Sequence, residues 1–414
     1  MIRRWVGVSA LGLLTITSYG SWFYAFGVLI EEIAGDTGLS TTILGLTYGV
    51  AQVITGIGAF VAGRLLDRFG GVGPFGTQAV AGCGLMFAST LAPGPIFAVL
   101  YAAGSGLIGA TGFYAVTTTA AARLRPDTPD RAIAVLTLIG ALSSPLYLPG
   151  TAWLLGVTDW RTAAQILTAV SAGAALVAAS VTSGARSQRG AGPSTNPFAA
   201  LRVALGSPAV RRMLSVYFAA GLAYSTVLVY QVPILTASGI ALGTAGTIGG
   251  LRGFCQIFGR VGLISVAERV GAARLLGLSY VVSALGVAML FGANVATGLI
   301  YGVVAGVALG ASSPLQAMVA RAQFDEGDLG LLMGLQGAAL GVAGGIGPLV
   351  GGAMRDASGS WTPTLVLSVL ALATAGFLIR TVPSGGPNGI SRRTSPDRHA
   401  PAPGTDPSAG GGSA

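Results

Sequence analysis

The octapeptide GRLLDRFG, residues 63–70, places two arginines and an aspartate directly behind a long apolar run. The related tetrapeptide ERVG lies at residues 268–271, so the two acidic residues are 268 − 67 = 201 positions apart. GATG at 109–112 and GASS at 310–313 show the same offset, since 310 − 109 is again 201. Two matches at one offset indicate that the chain contains a duplicated unit of about half its length.

Both halves of the chain are strongly apolar. Of the 414 residues, 52% are hydrophobic and only 9% are charged, whereas soluble domains carry about 25% charged residues. A helix needs about 20 mostly apolar residues to cross a bilayer, and such runs occur twelve times in this sequence. We therefore predict an all-α membrane protein with twelve transmembrane helices. The predicted spans are 5–30, 41–63, 75–92, 94–121, 132–156, 161–182, 211–236, 243–266, 272–291, 295–319, 330–354 and 361–381.

Two polar segments predict the domain organisation. The longest internal connection, 183–208, divides the spans six and six, and the tail 383–414 is rich in Pro, Gly and Ser. A segment of that composition is expected to be disordered. We predict a six-helix bundle at 1–182, a cytoplasmic linker at 183–208, a second six-helix bundle at 209–382 and a disordered cytoplasmic tail. Parallel six-helix repeats are an architecture of secondary transporters, which bind substrate at mid-membrane between the halves.

The arginines predict the orientation in the membrane. All 23 basic residues are arginines, and most of them fall in alternate loops, such as 123–131. The opposite loops are neutral or acidic apart from Arg161 and Arg355. Because arginine collects on the cytoplasmic side, both termini are expected in the cytoplasm, with the chain integral to a prokaryotic plasma membrane. The arginines form no continuous stripe, which argues against nucleic-acid binding despite the net charge of +9.

The sequence lacks the motifs that enzymes and metal sites use. Its single histidine, His399, lies in the tail, and Cys83 and Cys255 fall inside apolar runs, where cysteines usually serve as inert packing. HExxH, a Walker-type phosphate loop and a serine paired with a histidine are all missing from the sequence. We therefore expect no enzymatic activity, no cofactor and no metal.

The motifs together resemble a known family. GRLLDRFG is similar to the signature loop between spans two and three of the major facilitator superfamily, and the twelve spans, the linker and the second copy fit the same family. The resemblance implies two pseudo-symmetric six-helix bundles that transport by alternating access. Four further motifs resemble the monocarboxylate and oxalate/formate branch. They are YAFGVLIEEI at 24–33, GLIGATGFYAV at 106–116, DWRTAAQIL at 159–167 and GPLVGGAMRDASGSW at 347–361.

The resemblance implies that the 63–70 loop takes part in gating. Gly63 and Gly70 would let backbones approach and turn tightly. Asp67 would meet an arginine or the positive end of a helix when the cytoplasmic side is closed, and a contact made in one state only biases a two-state equilibrium. The alternative is a charged loop that only sets topology. The complete predicted gating set is Gly63, Asp67, Arg68, Gly70, Glu268 and Arg269.

A cation inside span eight is the strongest clue to the substrate. GGLRGFCQIFGR, residues 249–260, places Arg252 at mid-membrane, while the carboxylates lie at span ends. An arginine at that depth costs roughly 2.5–3.5 kcal/mol, so it indicates an anionic ligand, and its planar fork matches a carboxylate. Gln256 and Arg260 follow at i+4 and i+8, on the same helix face. In the resembling branch the essential arginine aligns with Arg260, whereas depth favours Arg252, so both remain candidates. The alternative for Arg260 is a position at the cytoplasmic boundary, with its side chain extending to water.

Tyrosines and amides complete the predicted site. Tyr114 and Tyr147 lie well inside spans four and five, and Tyr114 also resembles a family position. The predicted substrate-binding set is Arg252, Gln256, Arg260, Tyr114, Tyr147, Tyr24 and Gln52, with Tyr19, Tyr224, Tyr230 and Gln231 as further candidates. With one clear mid-membrane cation, a monocarboxylate fits better than a dicarboxylate such as oxalate. A coupled proton would have to travel through Glu31, Glu32 or Asp67, or with the substrate.

The sequence is consistent with three functions. The first is a monomeric secondary active transporter, a symporter or antiporter, that moves a small organic anion across the lipid bilayer with a proton as candidate coupling ion. The second is an exporter of a drug-like or secreted metabolite, which the low charge and many glycines also fit. The third is a membrane sensor that kept the fold and lost transport; a sensor would bind its ligand without any flux.

Overall fold

A computed structural model describes residues 2–185, 206–323 and 326–381. Within these ranges the apolar runs are helical and the chain contains no strand. The predicted tail and most of the predicted linker lie outside the described residues. Twelve helical segments, α1 to α12, correspond one by one to the predicted spans. They are α1 (Ile2–Ser18, a π-helical turn at Tyr19–Tyr24, then Ala25–Thr37), α2 (Thr41–Phe69), α3 (Val72–Thr77, a π-helical turn at Gln78–Gly82, then Cys83–Ser89), α4 (Gly94–Gly112 and Tyr114–Leu124), α5 (Pro129–Gly140 and Ser143–Val157), α6 (Trp160–Val181), α7 (Pro208–Ala237), α8 (Leu242–Phe258), α9 (Ala272–Ala288), α10 (Val295–Gln323), α11 (Glu326–Ser358) and α12 (Thr362–Leu378).

Eight of these helices are long and apolar enough to cross a membrane on their own: α1, α2, α4, α5, α6, α7, α10 and α11. The helices α8, α9 and α12 have 17 residues each.

The predicted span 243–266 is wrong at its C-terminal end. There α8 stops at Phe258, and Gly262, with φ +68°, precedes a separate short helix, Leu263–Val270. Glycine adopts positive φ without a steric penalty, so it can redirect the chain here.

The two ends of the molecule can be named by one aspartate each. At the Asp67 end, the C-termini of α2 and α4 meet through an ion pair between Asp67 and Arg123, with 2.6 Å between Oδ1 and Nη2. At the Asp36 end, the C-terminus of α1 meets the N-terminus of α6, where Trp160 Nε1 donates to Asp36 at 3.1 Å. Helices α1–α6 form one half and α7–α12 the other, with α2 packed against α11 and α5 against α8.

Helix α6 begins with a well-capped turn at the Asp36 end. The Asp159 carboxylate accepts hydrogen bonds from the Thr162 hydroxyl at 2.6 Å and from the backbone N–H groups of Arg161 and Thr162 at 2.9 and 3.0 Å. The bonds from Thr162 hold the pKa of Asp159 below its usual value. A lowered pKa means that this stabilising contribution is complete at neutral pH and is lost when pH falls through the folded-state pKa.

The two halves touch backbone to backbone at the Asp36 end. A Cβ added at Gly45 or Gly49 of α2 would come within 3 Å of the carbonyl oxygen of Pro348 or Gly345 in α11. Closer to the end, Asp356 of α11 accepts from the N–H groups of Thr41 and Thr42 at 3.2 and 2.7 Å and caps α2. Only glycine allows such an approach, so this end of the interface is closed.

The same two helices separate toward the Asp67 end. The row of α2–α11 contacts does not continue past the middle, because a Cβ added at Gly56 of α2 or at Gly341 of α11 would meet no atom within 4 Å. The same holds for Gly334 and Gly337, farther along α11. The structure is therefore closed at the Asp36 end and open at the Asp67 end.

Candidate functional site

Arg252 lies on α8 at the point where the two halves begin to separate, and only 1% of its surface is exposed. Its Nε donates to Oε1 of Gln231 on α7 at 3.0 Å, and its Nη2 donates to Oγ of Ser144 on α5 at 3.1 Å. The Tyr301 hydroxyl on α10 donates to the same Gln231 oxygen at 2.9 Å. Helices α7, α8 and α10 of one half and helix α5 of the other therefore hold the guanidinium in place.

The charge of Arg252 has no counter-ion within the described side chains. Their ion pairs are Arg123–Asp67 and Arg161–Asp36, both at the ends of the molecule. Nη1 of Arg252 is buried and makes no hydrogen bond to any described residue. Burying a charge without a partner is costly, so the site is complete only when an anion or another acceptor reaches Nη1.

A cavity of about 110 Å³ lies beside Arg252, on the side of the Asp67 end. It contains four members of the predicted substrate-binding set, which are Tyr24, Tyr114, Gln256 and Arg260. Tyr19 and Ser144 also line it. Tyr24 and Ser144 line the cavity and both interact with Arg252, so they connect the cavity to the buried cation.

Arg260 occupies a different position from the predicted one. Because α8 ends at Phe258, Arg260 lies in the following turn instead of on the helix face shared by Arg252 and Gln256. Its side chain is exposed and lines the cavity toward the open end. Arg252 and Arg260 therefore differ in environment, one buried and held by protein groups, the other in contact with solvent.

Two predicted site residues lie apart from this cavity. The ring of Tyr147 packs directly on the backbone of Gly20, where a Cβ would overlap it. Gln52 faces the α2–α11 interface, with its Nε2 at 3.5 Å from the Tyr48 hydroxyl and close to Gly344. Neither side chain lines the cavity that contains Tyr114 and Gln256.

Two helix irregularities shape the cavity wall. The π-helical turn Tyr19–Tyr24 widens α1, and α4 breaks at Phe113, whose extended conformation (φ −81°, ψ 169°) separates Gly112 from Tyr114. The rings of Tyr19 and Phe113 stack at 3.7 Å between centroids, which joins the two irregularities. Such distortions are common at functional sites, and irregular backbone at membrane depth occurs where it lines a cavity.

The predicted gating residues lie at the open end. Asp67 pairs with Arg123 of its own half, and Gly70 turns the chain with φ +64°. Gly63 makes no close backbone contact in this conformation, since an added Cβ would meet nothing within 4 Å. Arg68 stacks on the ring of Phe69 at 5.0 Å. Glu268 and Arg269 lie on the short helix Leu263–Val270 and form no ion pair with described side chains.

Sequence reasoning missed Ser144 and Tyr301. Ser144 is one of two adjacent serines ahead of Pro145, and its partner Arg252 lies 108 positions away. No local pattern distinguishes it from Ser143, which donates to the backbone of Ile16 at 2.8 Å. Tyr301 could have been noticed as the only aromatic residue within the apolar span 295–319.

Comparison with known proteins agrees with this architecture. The family model of the Major Facilitator Superfamily matches residues 11–236 and 213–406. No curated protein matches the sequence. Among solved structures, a bacterial homolog of the human lysosomal transporter Spinster, inward-facing and unoccupied, is similar with a TM-score of 0.72 and 16% identity, covering 92% of this chain and 98% of that one.

Two further structures have the same fold. The nucleoside transporter NupG gives a TM-score of 0.74 at 14% identity, over 91% of this chain and 98% of its own. A D-xylose–proton symporter gives 0.73 at 15% identity, over 92% and 98%. The duplicated family match, the apolar helices and these neighbours agree, and this chain belongs to the Major Facilitator Superfamily, as an integral membrane transporter and not an enzyme.

Proposed function

We propose that this transporter moves a small organic anion, a monocarboxylate, by alternating access between its two six-helix halves, as the resemblance to the monocarboxylate and oxalate/formate branch implies. One observation carries the proposal. The Arg252 guanidinium is buried without a counter-ion among the described side chains, and its Nη1 lacks a hydrogen-bond partner. A carboxylate supplies both the charge and the planar acceptor pair that a guanidinium matches.

Charge favours a monovalent anion. Arg252 is the buried cation among the described residues, whereas Arg260 is exposed and can be balanced by solvent ions. One buried cation is balanced by one negative charge, which supports a monocarboxylate over a dicarboxylate or a neutral or cationic drug. Arg252 is the proposed anchor, and Arg260, Gln256, Tyr24 and Tyr114 line the approach to it.

The direction of opening follows from the loop charges. The arginine-rich loops belong to the Asp67 end, so the positive-inside rule assigns that end to the cytoplasm of a prokaryotic cell. The described conformation would then be open to the cytoplasm, with both termini on that side. Each chain contains both halves of the site, which supports a monomeric transporter. Glu31, Glu32 and Asp67 do not line the cavity, so any coupled proton carried by them would act at the gates.

Ligand-induced thermal stabilisation of the purified protein tests the proposal. Acetate, L-lactate, pyruvate, oxalate and a set of neutral and cationic drugs would be compared on wild type, Arg252→Ala and Arg260→Ala, because a ligand that binds the folded state raises its apparent stability. Arg274→Ala serves as the control, since Arg274 is exposed at the start of α9. We expect a monocarboxylate to stabilise wild type and the control, and Arg252→Ala to lose the effect.

Two outcomes would contradict the proposal. Stabilisation by neutral or cationic compounds alone, unchanged in Arg252→Ala, would favour the exporter and give Arg252 a structural role. Loss of the effect in Arg260→Ala but not in Arg252→Ala would move the anchor to the cavity mouth. Uptake of labelled lactate into proteoliposomes separates a transporter from a sensor, because a sensor gives binding without flux.

A further inference from the structure

The hydrogen bond from Arg252 to Ser144 joins the two halves of the transporter. Ser144 belongs to α5 and Arg252 to α8, and both side chains are buried, with 2% and 1% of their surfaces exposed. Around this bond the two helices are in close contact. A Cβ added at Gly253 would come within 3 Å of the Ser144 hydroxyl, and one added at Gly246 within 3 Å of the Leu148 carbonyl oxygen. The bond therefore lies where the closed part of the α5–α8 interface begins.

Ser144 also stands between the cavity and the cation. It lines the cavity together with Gly253 and Gln256, while Arg252 lies behind it. An anion that enters from the open end reaches the Ser144 hydroxyl and the Nη2 group at the same place. The serine thus accepts one of the two hydrogens of Nη2, the group on which an anion at the guanidinium end would draw.

The hydrogen bonds of Arg252 show which donors a carboxylate can take. Nε is engaged by Gln231, whose oxygen also accepts from Tyr301 within the same half. Nη1 has no partner among the described residues. Two-point binding of a carboxylate at the guanidinium end uses one hydrogen of Nη1 and one of Nη2, and one of the two Nη2 hydrogens is given to Ser144.

We propose that Ser144 and the carboxylate of the transported anion compete for Nη2 of Arg252, so that anion binding releases a hydrogen bond between the two halves. The inference rests on the proposed function for the identity of the competitor, but the Ser144–Arg252 contact itself is independent of it. A charge-assisted bond to a carboxylate is stronger than a bond to a neutral hydroxyl, so the exchange favours the anion. Once released, α5 and α8 lose a polar contact at the Asp36 end, and a bound anion therefore favours opening there.

Ser144→Ala tests the competition, with Ser368→Ala as a matched control. Ser368 is also buried and donates to the Thr364 carbonyl within α12 at 2.9 Å, and it does not line the cavity. Calorimetry with L-lactate and acetate would measure Kd. We expect Ser144→Ala to bind roughly tenfold more tightly, the factor that about 1.4 kcal/mol represents for one lost competing bond, and Ser368→Ala to bind as wild type does. An unchanged or weaker Kd in Ser144→Ala would overturn the competition.

A second measurement needs no ligand. Spin labels at Val157 and Gly243, both exposed at the Asp36 ends of α5 and α8, would report the distance between the halves in a background with Cys83 and Cys255 replaced by alanine. We expect Ser144→Ala to increase the long-distance population and Ser368→Ala to leave it unchanged. An unchanged distribution in both variants would refute the link between the halves. If wild type binds neither lactate nor acetate, both the proposed function and the competition for Nη2 are refuted. A distance change specific to Ser144→Ala would in that case still support the Ser144–Arg252 bond as a link between the two halves.

Discussion

Replacing Gln231 by glutamate separates an anion-binding role of Arg252 from a structural one. The side-chain oxygen of Gln231 accepts from Arg252 Nε at 3.0 Å and from the Tyr301 hydroxyl at 2.9 Å, and its Nε2 donates to the Leu228 carbonyl at 3.1 Å. Gln231→Glu keeps the acceptor, changes one NH2 to an oxygen and introduces a carboxylate beside the guanidinium. The cation then has a permanent counter-ion of nearly the same shape as the wild-type amide.

The size of the effect follows from Coulomb's law. Two charges about 4 Å apart attract by about 4 kcal/mol at an effective dielectric constant of about 20. A substrate carboxylate on the far side of the guanidinium would lie roughly 7 Å from the new carboxylate, where repulsion is about 2 kcal/mol under the same assumption. We therefore expect the Kd for lactate to rise at least about 30-fold. The ligand-free protein should be at least as thermally stable as wild type, because the partner gained by the buried cation outweighs the lost hydrogen bond from Gln231 Nε2 to the Leu228 carbonyl.

The opposite signs of the two effects make the result decisive. Calorimetric titration with lactate gives the affinity, and thermal unfolding without ligand gives the stability. Gln231→Leu is the comparison variant, since it removes the acceptor from both Arg252 and Tyr301 and should destabilise the protein by about 2–4 kcal/mol. Wild-type affinity for lactate in Gln231→Glu would refute the assignment of Arg252 as the anchor.

Three further perturbations address the gates. Asp356→Ala removes the hydrogen bonds that the α11 carboxylate accepts from Thr41 and Thr42 at the start of α2, worth about 1 kcal/mol. It should shift the population toward opening at the Asp36 end about fivefold, which double electron–electron resonance would measure; no shift would show that these bonds are not a gate. Gly49→Val should abolish lactate uptake at normal expression because its side chain would meet the α11 backbone. Gly173→Val, on α6 and with open space around it, should transport as wild type does, and normal uptake in Gly49→Val would be inconsistent with closure. Asp67→Asn breaks an ion pair that is half-exposed and worth about 0–1 kcal/mol. We therefore expect nearly unchanged thermal stability and ligand binding but slower uptake, and loss of binding would contradict a purely gating role.

The helical architecture was predictable because membrane thickness fixes the length of an apolar run. All twelve predicted spans correspond to helical segments. The offset of 201 residues between Asp67 and Glu268 agrees with a family model that matches the chain twice. The burial of Arg252 was also predictable, since its neighbours in the sequence are apolar and an arginine within an apolar helix must be shielded from lipid by protein. These features depend on composition and spacing along one helix, which a sequence shows directly.

The remaining features depend on contacts between distant helices. Ser144 differs from Ser143 only in facing α8, and a sequence contains no direct record of that. Arg260 was placed one turn too far along α8 because Gly259 and Gly262 permit a turn that an apolar pattern does not reveal. Tyr147 packs on Gly20 although its depth in α5 resembles that of a cavity residue. The same sequence must also encode both open and closed conformations, so the described opening could not follow from it.

The close α2–α11 contact has a consequence for how quickly the transporter can cycle. Gly45 and Gly49 press against backbone carbonyls of α11 without interposed side chains. Closing an interface built from leucines would freeze rotamers at about 0.5–1 kcal/mol for each side chain, whereas glycine has no rotamers to freeze. The two surfaces can therefore meet and part without repacking, and the activation barrier for that movement contains little side-chain entropy.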